Sequence, residues 1–232
     1  ITLTRSQTQS GGDLTGTAGQ NIGLTDANAT AVGAAVLTAG TDEHNGTDAD
    51  LTLDNSHVAA NGGYAALTAA DSISLQRAST VVAHDDLSVD AQTGDVTLIE
   101  NSSLAAQNGS MDLDAGSRVG VTDSILSAGI DMTVDAAAAD IALGNSHATA
   151  GNDLALTAGT DVTLVNDSHA DANGGNLSMT GSGGDVRLTD SVTSAYGTLD
   201  LIAGTNVGLT RSSGTSGDDM ILTADRGDIT LT

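Results

Sequence analysis

Apolar residues occur along this chain in short bursts at every second position, separated by polar turns, and the bursts themselves recur. A branched aliphatic side chain stands at Ile1, Ile22, Leu51, Ile73, Val96, Val119, Ile141, Val162, Val186, Val207 and Ile229, roughly 22 residues apart with one longer step. Two residues after each comes Leu3, Leu24, Leu53, Leu75, Leu98, Val121, Leu143, Leu164, Leu188, Leu209 or Leu231. An i, i+2 pair of this kind marks a strand with one buried face. A turn rich in Asn, Asp and Ser follows. After it runs a ladder of mostly small residues, Ser10, Ala31, Ala60, Val82, Ala106, Ala128, Ala150, Ala172, Ala195 and Ser216, which predicts a tight corner or a narrow second side. Gly-containing turns such as Gly62-Gly63 and Gly174-Gly175 lead into a further alternating stretch. Its first inward position runs Leu14, Ala35, Ala65, Leu87, Met111, Met132, Leu154, Leu177, Leu199 and Met220. That stretch closes on Ala-Gly pairs, Ala115-Gly116 and Ala158-Gly159 among them, where Gly is expected to supply the positive φ of a sharp corner.

Nothing sustains the i, i+3, i+4, i+7 spacing of a helix. The pattern predicts an all-β fold, a right-handed parallel β-helix or solenoid of about ten coils with roughly 22 residues per coil. Stacked at the ~4.8 Å strand spacing, such coils make a rod about 50 Å long. Residues 1–232 then form a single β-helical repeat region, expected to be a segment of a longer array, and Ile1 opens mid-pattern like a cut or processed end. The long step between Ile22 and Leu51 predicts a short insertion loop over 42–49.

Composition narrows the function. The chain has no Cys, Pro, Trp, Phe or Lys, and Tyr64 and Tyr196 are its two aromatics, so the interior must be filled by small aliphatic side chains in a thin body. A formal charge of −24 with six dispersed arginines excludes the basic stripe that nucleic acid requires and disfavours anionic membranes. No apolar run reaches the roughly 20 residues that span a bilayer. No membrane insertion is expected.

Three features are candidates for chemistry. Asp50, Asp95, Asp140, Asp161, Asp185 and Asp228 precede the first strand of a coil, and Asp13, Asp86, Asp131, Asp153 and Asp219 precede the last. Carboxylates stacked at coil spacing suit Ca²⁺. Asn21, Asn176 and Asn206 at equivalent places favour instead a role as acceptors of backbone N–H groups, which needs the geometry and not the charge. Second, Asp90, Asp112, Asp114 and Asp135 fall on the outward side of three successive coils, a weak Ca²⁺ patch if the rod holds any cofactor. Third, His57, His147 and His169 follow Ser in corner turns, the last two on adjacent coils, where exposed turn residues are favoured over a metal site. An outward Thr series, Thr17, Thr38, Thr68, Thr157, Thr180 and Thr223, is interrupted by Asp90, Asp114, Asp135 and Ile202, which argues against an ice-binding face. No long loops shape a catalytic cleft, so no enzyme activity and no catalytic residue are expected.

The stretch GNDLALTAGTDVTLVNDSHADANGGNLSMTGSGGDVRLTDS, Gly151 to Ser191, resembles the filamentous-haemagglutinin repeats of large exoproteins exported by two-partner secretion. The likeness lies in the grammar G-D-L-x-L-x-A-G-x-D-V-x-L-x-x-S and extends over essentially the whole chain. It implies the structural shaft of a secreted or cell-surface adhesin. Its partners would be further repeats of the same chain, and glycans or cell surfaces, with no catalytic residue carried over. The alternative is a self-assembling extracellular filament or surface-layer subunit, in which identical copies stack end to end with cations bridging acidic flanks.

Overall fold

A computed structural model describes residues 1–41 and 48–232. Most of the expected insertion loop, residues 42–47, lies outside the described residues. The fold is all-β, and the described residues form 31 strands in three parallel sheets of 11, 10 and 10 strands. Each coil contributes one strand to each sheet, so the chain winds through ten complete coils and adds the opening strand of an eleventh, forming a β-solenoid. One coil illustrates the plan. Val162–Val165 lies on the first face, His169–Ala172 on the second and Leu177–Gly181 on the third.

Register is unbroken. The ladder from Leu3 to Leu231 pairs residue for residue through every coil of the first face. The ladder from Leu14 to Met220 does the same on the third. Their side chains meet those of the second face in one continuous core, where Leu51, Leu75, Leu98, Leu113, Leu164 and Leu201 are fully buried. Because each coil shelters only its neighbours' strands, the core grows linearly with coil number.

The small-residue ladder needs one correction. On the second face Ala60 pairs with Ala83 and Ala83 with Ala106, so Ala83 occupies the ladder and Val82 faces outward. The cause is the corner before it. Most first corners turn on a single residue near φ +50°, such as Asp26, Asn55, Asp123, Asn145 and Asp190, but Arg77-Ala78, Glu100-Asn101 and Asn166-Asp167 place two successive residues there. The extra residue delays the second strand by one position, and a one-residue delay exchanges the inner and outer sides. Val81, Leu104 and Leu126 accordingly form a further inward ladder that the periodicity did not reveal.

Glycine has a different role from the one expected. Among the described residues Gly40 alone is a glycine with positive φ, while the left-handed positions fall mainly to Asn and Asp, whose short polar side chains tolerate that region. Gly116, Gly159 and Gly204 are required for closeness: a Cβ there would collide with the carbonyl oxygens of Gln92, Ala137 and Ser182 one coil earlier.

After seven successive first corners, from the third coil to the ninth, comes a buried serine, while Ala27 takes that place in the second coil. Ser56, Ser124 and Ser146 donate to the carbonyl two residues back over 2.8–2.9 Å, closing the turn. Ser146 Oγ also accepts the Ser124 N–H (3.1 Å), and Ser168 Oγ accepts that of Ser146 (3.3 Å), so the hydroxyls link coil to coil.

Candidate functional site

The four residues of the acidic patch all lie on the third face. Asp90 pairs in register with Asp114 and Asp114 with Asp135, so three carboxylates stand in a row along the outer side of the third face. Asp112 lies two residues before Asp114 in the neighbouring outward row, between Ser88 and Thr133. Partial burial raises the pKa of Asp114, and the charges of Asp112, Asp135 and Asp90 raise it further. Asp90 is raised by burial and by Asp112. The row concentrates negative charge on the outer side of the sheet. Among the described residues no three His, Asp or Glu side chains are arranged to hold a metal ion.

The corner aspartates have a different environment. At the third corner Asn21, Asp50, Asp95, Asp140, Asp161, Asp185 and Asn206 each accept a backbone N–H from the next coil over 2.7–3.2 Å. At the second corner Asp13, Asp86, Asp131, Asp153 and Asn176 do the same over 2.7–3.1 Å. Asn and Asp are interchangeable in this role, which supports the acceptor reading and refines it: the donor belongs to the neighbouring coil. Asp185 is the most enclosed, 5% exposed. Burial would raise its pKa, but donors from Thr205, the Asn206 backbone and side chain, and Arg187 outweigh it and hold the carboxyl low.

The histidines divide. His147 and His169 pair in register and their rings stack with centroids 4.6 Å apart, 18° from parallel. His57 stands four coils earlier in the same outward row, bonded to Thr80, and burial lowers its pKa. Asp171, two residues after His169, has its pKa raised by burial, against the pull of both nearby imidazoles.

No family model matches the chain, and no curated protein or solved structure matches it either. The class is therefore defined by the fold: a parallel β-solenoid with three sheet faces and hydrogen-bonded corners.

Proposed function

We propose that this chain is a stretch of structural shaft in a secreted or cell-surface adhesin, serving attachment or display and performing no catalysis. The observation that carries the proposal is the unbroken register of three sheets across all described coils, in which each added coil contributes length and little else. Corners bonded from coil to coil by Asp, Asn and Ser make such a column stiff without disulfides. The repeat grammar of Gly151 to Ser191 points the same way.

The test is electron microscopy of the purified chain over a concentration series, with and without millimolar Ca²⁺. Discrete rods about 50 Å long under all conditions are expected for a shaft. Long filaments with an axial repeat near that length would overturn it in favour of end-to-end self-assembly, and filaments confined to Ca²⁺ would make that assembly cation-dependent.

A further inference from the structure

The second corner carries features that the fold does not need. Between the first coil and the tenth, the described chain exposes five large apolar side chains, Val32, Tyr64, Ile125, Ile130 and Tyr196, and all but Ile125 stand on this one edge. Both of the chain's aromatic residues are here, Tyr64 51% and Tyr196 73% exposed. Neither contributes a buried ring to the core, so their place on the edge has no packing explanation. Tyr64, Ile130 and Tyr196 belong to the third, sixth and ninth coils. They recur every three coils, about 14 Å at the ~4.8 Å strand spacing.

Beside Tyr196 lies a shallow groove of about 580 Å³ running over three coils. Asn173, Ser194, Thr215 and Asp218 supply amide, hydroxyl and carboxylate groups around the ring. The backbone beneath is already engaged, Tyr196 N–H with Ala172 O (2.9 Å) and Gly217 N–H with Ala195 O (3.1 Å), leaving side chains for a ligand. All six arginines lie elsewhere: Arg5, Arg77 and Arg211 at the first corner, Arg118 and Arg226 at the third, and Arg187 on the first face. The edge instead carries Asp86, Asp131, Asp153 and Asp218, so polyanions are repelled.

We propose that this edge binds a neutral polysaccharide lying along the rod, with Tyr64 and Tyr196 as stacking platforms and the Tyr196 groove as the principal subsite. A sugar ring presents an apolar C–H face and a rim of hydroxyls. Tyrosine offers a flat apolar surface at low entropic cost, and Asn, Ser, Thr and Asp match the rim. A linear polymer also suits platforms repeated along a straight edge, and an uncharged one meets no repulsion. The inference deepens the attachment reading by naming a ligand class, but rod formation is measured separately.

Affinity electrophoresis in gels containing dextran, galactomannan or hydroxyethyl cellulose, with heparin and polygalacturonate as anionic controls, tests the ligand class. Tyrosine emission reports the site directly, because no Trp is present and both fluorophores stand on this edge. We expect retardation by at least one neutral polymer and a change in tyrosine emission on binding. The affinity should fall about tenfold or more in Tyr196→Ala, be retained in Tyr196→Phe, and change without any shift in melting temperature. Binding to none of the neutral polymers, binding untouched by Tyr64→Ala with Tyr196→Ala, or capture only by anionic polymers or by proteins would overturn the proposal. Rods persisting in the microscope after that failure would leave the shaft reading standing.

Discussion

Asp185 and Asp114 are the same residue type on the same rod, and their surroundings push them in opposite directions. Asp185 closes a third corner, 5% exposed, with Asn206 N at 2.8 Å, Asn206 Nδ2 at 3.0 Å, and Thr205 and Arg187 also donating. Asp114 stands on the third face between Asp90 and Asp135, with Asp112 close by. Donors hold the first carboxyl below the ordinary range. Burial and like charge hold the second above it. The contrast separates the acid that builds this rod from the acid that only loads its surface. A large negative charge is therefore no single property of the chain.

The largest effect comes from placing a carboxylate where it has neither donors nor water. Leu156 is 1% exposed in the core, stacked between Val134 and Met179. Leu156→Asp is expected to cost more than about 4 kcal/mol and to loosen several coils together, because a buried unpaired charge is expensive and coils are coupled to their neighbours. An unchanged melting curve would refute the inward register of the third face. Next is Asp185→Ala, which strands several donors in a nearly closed corner and should destabilise by about 2–4 kcal/mol, read from the urea midpoint. Asp185→Asn keeps an acceptor, as Asn206 does one coil on, and should cost only about 1 kcal/mol. Equal losses in the two variants would mean that charge, not geometry, is what the corner uses.

This division was partly legible in the sequence. The two apolar ladders of the first face survived intact because strand alternation and a fixed coil length agree in every repeat. The acceptor role of the corner acids was legible from Asn at Asn21, Asn176 and Asn206, which keeps the shape without the charge. What failed was local. Val82 fits the inward pattern but faces outward, because Arg77-Ala78 adds a corner residue that no hydropathy pattern reports. The serine series Ser56, Ser79, Ser102, Ser124, Ser146 and Ser168 is as regular as any apolar ladder and fully or nearly buried. A small polar residue in a turn reads as solvent-facing, and so its regularity carried no signal. The edge at Tyr196 was hidden for the same reason: turn residues have no period that separates display from closure.

Removing charge from the patch should have the opposite sign to removing it from a corner. Asp114→Asn relieves cross-strand repulsion with Asp90 and Asp135 and should stabilise at neutral pH by about 0.5 kcal/mol, reduced by solvent screening and fading at high salt. The pH dependence follows from the direction of each shift. Asp185 is held low, so its contribution is complete above the ordinary carboxyl value of 3.8 and is lost as pH falls through its lowered value. Asp114 is held high, so its penalty is complete above its raised value and disappears as pH falls towards the ordinary one. Midpoints measured from neutral pH downward should therefore show the Asp114→Asn advantage vanishing before the Asp185→Ala deficit does. The reverse order would invert the assignment of the two environments.

The smallest effect decides whether the patch does more than repel itself. A divalent cation held by Asp90, Asp112, Asp114 and Asp135 would offset their repulsion, and millimolar Ca²⁺ should then raise the melting temperature of the parent chain by a degree or two, on the order of a few tenths of a kcal/mol. General screening would raise it too. The discriminating pair is therefore Asp112→Asn with Asp114→Asn, compared with the parent in Ca²⁺ and in NaCl of equal ionic strength. A calcium-specific increment present in the parent and absent from the double variant assigns the cation to this row of carboxylates. An increment shared by both chains would place it with the general field of a chain whose formal charge is −24, and the face would then be acidic for solubility alone.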